Sequence, residues 1–267
     1  MRSFLGSLLF AVFQAAITLF FVLLFLCFFW LPPVPRYRFM LVWPRLNLWA
    51  VRVLCGIRYR IIGQEHLPDG TIPHVVLAKH SSTWDVMAIP LNMPRPLSFV
   101  AKKELMWIPF FGWGFRLALP IIIDRKAGGE AMQQIYAQGE ARHKQGFWII
   151  LFPEGTRVPP GQKRRYKTGG ARLAITLGAP VLPIAHNAGY LWPRGIFGKR
   201  VGTITLSIGK PIPSAGKDST TLMQEVEDWI ETETARLGLP HQESGIRDQG
   251  SGIRDQKAEI RGQRSGE

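Results

Sequence analysis

His80 and Asp85, five positions apart in KHSSTWD, are a pair of the types needed to move a proton. On one ideal helix, five residues separate side chains by about 140°, so the two cannot share a helical face. With His80 on a turn and Asp85 early in the following helix, the carboxylate reaches back to one imidazole nitrogen. The other nitrogen is then bare and accepts a proton, while the carboxylate fixes the tautomer and stabilises the imidazolium. Imidazole, with an unperturbed pKa of about 6.5, suits taking a proton from an alcohol as it attacks an acyl carbon. The other reading of this spacing is a structural hydrogen bond that caps a helix. Ser81 and Ser82 lie beside the pair with no G-x-S-x-G elbow around them, which favours capping over nucleophilic work. Backbone N–H groups near the turn are candidate donors to a developing oxyanion.

A second constellation follows at FPEGTR, Phe152–Arg157, where an apolar run ends in a polar turn. Gly155 lets backbone N–H groups approach a ligand, Thr156 offers a hydroxyl, and Arg157 can grip phosphate with two parallel N–H groups. Glu154 would repel an anion if unpaired, so it orients Arg157 or accepts from hydroxyls of a ligand. IIIDR at Ile121–Arg125 repeats the design and supplies Arg125. In KRRYKTGG, Lys167 precedes a helix start, a favourable place for anions. Taken singly, each of these is equally a salt-bridged strand end or a solvated basic patch. VLPIAHN at Val181–Asn187 is a further strand ending in polar groups, with Pro183 shaping a pocket and His186 undetermined. The scattered histidines and the two cysteines, Cys27 and Cys55, offer no metal-ligand spacing and no disulfide framework.

The elements that carry these residues read as an α/β alternation. Strand-like runs fall at Tyr59–Ile62, Val75–Ala78, Leu97–Val100, Pro120–Ile123, Phe147–Phe152, Val181–Ala185 and Thr203–Ile208. Helical patterns fall at Trp84–Met93, Gly129–Lys144, Gly169–Leu177 and Leu222–Leu237. VVLA and FWIILF are apolar without alternation, as in strands covered on both faces. The expected fold is α/β: a mostly parallel or mixed sheet flanked by helices, with an N-terminal hydrophobic membrane helix.

That N-terminal segment has no Asp, Glu, Lys, Arg or His from Ser3 to Pro35, and Leu8–Trp30 exceeds the roughly 20 residues that span a hydrocarbon core. It is too long for the roughly 7–15 apolar residues of a signal peptide and ends in Trp-Leu-Pro-Pro. Arginines at 36, 38, 45, 52, 58 and 60 follow it, so the positive-inside rule puts the bulk of the chain in the cytoplasm. Two shorter helices dipping into one leaflet would have the same composition. Phe39–Ile57 reads as an interfacial helix with Trp43 and Trp49 at headgroup depth and a break or kink at Pro44, or as a helix of the core. Three parts result: a transmembrane or membrane-embedded segment at 1–35, an interfacial helix plus α/β domain at 36–240, and a disordered tail at 241–267 with SGIRDQ twice. The formal net charge of +14 over 267 residues suits an anionic partner.

HSSTWD, IIIDR, FPEGTR and VLPIA, in that order, resemble the four motif blocks of the glycerolipid acyltransferase family, and within it the bacterial 1-acyl-sn-glycerol-3-phosphate acyltransferases. The resemblance runs from about Pro73 to Pro211. It implies an enzyme of phospholipid biosynthesis in the bacterial inner membrane, its catalytic domain on the cytoplasmic side. It implies His80 as general base with Asp85 as partner, and Arg125, Glu154, Gly155, Thr156 and Arg157 around a glycerol-phosphate acceptor. Lysophosphatidate and acyl-CoA or acyl-carrier protein would be substrates, with membrane lipids as surroundings, no cofactor and no metal. The chain departs from the family at Lys79, where many members have Asn, at Val158, where Ser is common, and at Pro120, where Gly is frequent. These leave the acceptor open, and glycerol 3-phosphate or a lyso-ornithine lipid would use the same chemistry. A non-catalytic, membrane-tethered anion-binding protein is the reading from another class. No nucleic-acid motif accompanies the charge, so nucleic acid is not an expected partner.

Overall fold

A computed structural model describes residues 2–124 and 129–240. The expected tail therefore lies outside the described residues, as does Arg125. In chain order the elements are α1 (Arg2–Cys27), α2 (Pro33–Met40), α3 (Val42–Cys55), β1 (Ile57–Ile62), β2 (Val75–Ala78), α4 (Asp85–Leu91), β3 (Leu97–Lys102), α5 (Phe111–Leu117), β4 (Ile121–Ile123), α6 (Gly129–Lys144), β5 (Trp148–Leu151), α7 (Gly169–Thr176), β6 (Val181–His186), β7 (Gly202–Ile208) and α8 (Ser219–Leu237).

The seven strands form one sheet in the order β1-β7-β6-β2-β5-β3-β4. All neighbouring pairs are parallel except β6 and β7, so the sheet is mixed, as the alternation of elements implies. Side chains alternate across each strand. Val76 and Ala78 pack into a cluster with Phe10, Leu48, Trp84 and Met87 from α1, α3 and the α4 region. Val75 and Leu77 pack into the opposite cluster with Ile135, Leu173, Val226 and Ile230 from α6, α7 and α8. The register places Leu77 beside Pro183 on one side and Leu151 on the other, so β2 and β5 end side by side and β6 runs two residues further, to His186. In such sheets, ligand sites gather at the carboxyl ends of strands.

The single expected helix over Phe39–Ile57 is instead two, α2 and α3, divided at Leu41 rather than at Pro44. Pro44 lies in the first turn of α3, where its missing N–H has no helical partner to lose. Trp43 donates to the hydroxyl of Thr18 in α1 at 3.1 Å, which ties it to protein, whereas Trp49 is exposed. Arg36 is buried and donates to the carbonyls of Phe29 (2.8 Å), Leu31 (3.3 Å) and Leu117 (3.0 Å). It thereby ties the turn after α1 to the end of α5.

Residues Phe4–Cys27 of α1 are long and apolar enough to cross a membrane, with mean hydropathy 2.6. Yet α1 lies lengthwise on the domain, packed on α3 and α5. Ser7, Phe10, Phe21, Val22 and Phe25 face the protein, while Phe4, Leu5, Leu9, Val12, Leu19, Phe20 and Leu23 are exposed. Gly6 permits the closest approach: a Cβ there would sit 2.2 Å from the Leu54 carbonyl oxygen.

Candidate active site

β2 ends at Ala78, and the next residues continue its alternation: Lys79 turns towards α8 and His80 towards α4. Its Nδ1 is 3.0 Å from Asp85 Oδ2. The same oxygen accepts the N–H groups of Ser81 (3.2 Å) and Ser82 (3.1 Å), so it is a committed acceptor and His80 Nδ1 must carry the proton. His80 Nε2 is then bare. The imidazole stacks on Phe152 with ring centres 4.0 Å apart, and its side chain keeps 18% exposure. Asp85 opens α4 and is fully buried, with Oδ1 unpartnered among the described residues. Burial alone would raise its carboxyl pKa, but attraction to the protonated form of His80 and hydrogen bonds from His186 and His80 outweigh burial and hold it well below the usual range.

The serines are spoken for. Ser82 Oγ accepts from Trp84 N (3.1 Å) and donates to the Trp192 carbonyl (2.7 Å); Ser81 Oγ accepts from Gly189 N (3.2 Å). Both are buried and neither bonds to His80, so the turn holds no serine nucleophile. The N–H groups of His80, Ser81, Ser82 and Trp84 are all used within the protein.

Glu154 also departs from its expected place. It is completely buried, accepts the His80 N–H on Oε2 at 2.7 Å, and pairs through Oε1 with Lys79 Nζ at 2.8 Å. It neither orients Arg157 nor meets a ligand hydroxyl, because a buried carboxylate needs a cation and that cation lies behind the sheet's edge. Lys79 also reaches Glu231 of α8 at 2.6 Å, whose Oε1 accepts the Tyr166 hydroxyl at 2.8 Å. Burial opposes the charge on Lys79 and pushes the Glu154 carboxyl up. With carboxylates on two sides, the Lys79 pKa is nevertheless raised and the ammonium persists.

The rest of FPEGTR lies beside the base. Gly155 turns the chain at φ 71, and Val158 N donates to the His80 carbonyl at 2.8 Å, joining the two turns. Arg157 Nη1 donates to Thr83 Oγ1 at 2.7 Å, so its guanidinium is held next to the HSSTWD turn. Thr156 Oγ1 accepts from Arg194 Nη2 at 2.9 Å. Arg194 was not among the sequence candidates, since it belongs to no motif and only the return of the chain after β6 brings it here. Neither arginine has a carboxylate partner among the described residues. Lys167 is exposed, its N–H bonded to the Pro153 carbonyl at 3.0 Å, which puts it on the same turn. β4 ends two strands from β5, about 10 Å along the sheet, and Lys103 pairs there with Asp124. Pro183 lies inside the sheet opposite Leu77 rather than at a pocket. The missed member is His186, whose buried ring is 3.4 Å from Asp85 Oδ2.

Comparison with known proteins places the chain in a family. A family model described as Acyltransferase matches residues 58–187. The chain is similar to a 1-acyl-sn-glycerol-3-phosphate acyltransferase of Pseudomonas aeruginosa, 42% identical over 219 residues that cover 79% of this chain and 84% of that protein. The human 1-acyl-sn-glycerol-3-phosphate acyltransferase alpha is 34% identical over 144 residues, 54% of this chain and 50% of that protein. The crystal structure of the 1-acyl-sn-glycerophosphate (LPA) acyltransferase PlsC from Thermotoga maritima shares the fold, with TM-score 0.73 at 23% identity over 91% of this chain and 98% of that one. Matched to the Pseudomonas protein across most of both lengths, the chain belongs to the acyltransferase family.

Proposed function

We infer that the protein acylates 1-acyl-sn-glycerol 3-phosphate at its sn-2 hydroxyl and produces phosphatidate. The observation that carries this reading is the His80 imidazole: proton on Nδ1 towards Asp85, Nε2 bare, and the Arg157 guanidinium held against the adjoining Thr83. Nε2 takes the hydroxyl proton as the oxygen attacks the thioester carbonyl of acyl-CoA or acyl-carrier protein. The tetrahedral intermediate then expels the thiolate, to which the imidazolium returns the proton. No acyl-enzyme is needed, because both hydroxyls beside the base are occupied. Asp85 stays ionised throughout and stabilises the imidazolium. Arg157 holds the acceptor phosphate, with Arg194 and Lys167 as further cations beside it; Arg125, outside the described residues, remains the candidate that its motif supplies, and no cofactor takes part.

The exposed apolar stripe of α1 supports association with a bilayer along the helix, the domain on the cytoplasmic face of a bacterial inner membrane. The acceptor's tail then remains among lipids while its head enters the site. The test is phosphatidate formation by purified protein in detergent or vesicles, with both donors and with lysophosphatidate, glycerol 3-phosphate and a lyso-ornithine lipid as acceptors. Turnover with lysophosphatidate that vanishes in His80→Ala sustains the reading. Preference for another acceptor, or equal turnover in His80→Ala, defeats it.

A further inference from the structure

His186 takes no part in the proton transfer, yet its ring is 1% exposed and built into the base's surroundings. It is the last residue of β6, next to β2 in the sheet. Its Nδ1 accepts the Ala188 N–H at 3.2 Å, which fixes the ring proton on Nε2. That N–H lies 2.9 Å from the Lys79 carbonyl oxygen and 3.4 Å from Asp85 Oδ2. The Trp84 indole, 5.7 Å away between centres, closes the other side.

The Lys79 carbonyl and the His80 N–H belong to one planar peptide unit. Glu154 holds its N–H end and His186 its carbonyl end, both from strands neighbouring β2 or the turn just beyond one. A peptide gripped at both ends cannot swing about its flanking bonds, and this peptide sets where the His80 side chain begins.

We propose that His186 is a positioning residue for the base: it anchors the carbonyl end of the Lys79–His80 peptide opposite Glu154 and keeps Asp85 Oδ2 aimed at the His80 ring. This rests on the reading of His80 as base. A neutral imidazole suits the task, being a rigid donor that brings no charge. Lysine or arginine in its place would pair with Asp85 and draw the carboxylate away from His80. The other charged groups packed around the pair are Lys79, Glu154 and Glu231 on the α8 side and Arg157 on Thr83.

The test compares His186→Phe, which keeps a ring without a donor, with His186→Gln, which keeps a donor. In His186→Phe the kcat should fall roughly 10–100-fold through misplacement of the base, with the acceptor KM changed less than about threefold. His186→Gln should recover most of the loss. Loss of the second N–H concentrates the Asp85 charge on His80, so the acid limb of kcat/KM and the His80 titration followed by NMR should both move to higher pH. A packing role alone would leave the titration in place and make Gln no better than Phe; either result overturns the proposal. Independently of any variant, nitrogen NMR of the wild-type chain should show His186 protonated on Nε2 and bare on Nδ1. The opposite tautomer, or a doubly protonated ring at neutral pH, also overturns it. The NMR readouts need no acceptor, so they stand apart from failure of the lysophosphatidate assignment, which would show as absent wild-type turnover.

Discussion

The turns after β2 and β5 lie side by side at one sheet edge and are finished in opposite ways. In the first, the His80 N–H and carbonyl, both serine hydroxyls and Asp85 Oδ2 all have partners inside the protein. In the second, Arg157 rests on a threonine hydroxyl, as does Arg194, which reaches this turn from beyond β6, with no carboxylate among the described residues to neutralise them. The first turn is oriented before substrate arrives and loses nothing to reorganisation. The second keeps its cations for an anion from outside. One polypeptide thus separates what must be rigid from what must be vacant.

Variants can break this division. His80→Ala removes the proton acceptor and should lower kcat about 10⁴-fold while the melting transition is kept, read from phosphatidate formation and calorimetry. Asp85→Asn should cost about 10³–10⁴-fold, because the amide cannot orient the ring as the carboxylate does. The same variant has a signature in pH. Since the folded-state carboxyl is held down, its stabilisation is present above the usual carboxylate range and disappears as pH falls through the folded value. The gap in Tm between wild type and Asp85→Asn should therefore be full at pH 7 and shrink in strong acid. A gap that widens there would contradict an ionised, stabilised Asp85.

Lys79→Met leaves Glu154 buried without its cation and should destabilise the fold by about 3–5 kcal/mol in denaturant titration. The double variant with Glu154→Gln should be milder, since the stranded charge is gone. The smallest expected effect belongs to the open turn. Arg157→Ala should raise the acceptor KM roughly 10- to 100-fold, the loss of about 1.5–3 kcal/mol of charge-assisted hydrogen bonding, with kcat largely kept. A larger effect on kcat than on KM would mean that Arg157 serves the transition state rather than the bound ground state.

What could be read from sequence follows contact range. VVLA and FWIILF announce covered strands through composition alone, and β2 and β5 occupy those runs. His80 and Asp85 are five residues apart, so a local turn suffices to join them. Lys79 meets Glu231 across 152 positions and His186 across 107, and no local pattern marks either pairing. Glu154 was read as facing a ligand for the same reason: its cation, Lys79, looks like a departure from a motif until the fold brings the two together. α5 was unreadable because FGWGFRL has poor helix propensity. Its glycines answer to packing, since a Cβ on Gly112 would sit 2.4 Å from the Met106 carbonyl and one on Gly114 would sit 3.0 Å from Val22 of α1. Division of α2 from α3 at Leu41 was hidden behind the more conspicuous Pro44.

Phe10 has no exposure and shares a cluster with Trp84, which precedes Asp85, and Met87, two residues after it. Trimming the chain at Arg36 to obtain a water-soluble fragment would therefore strip one wall from the catalytic interior and leave an oily trough. Because α1 and the α/β domain share this core, the amphiphile that surrounds the exposed face of α1 should bear directly on activity.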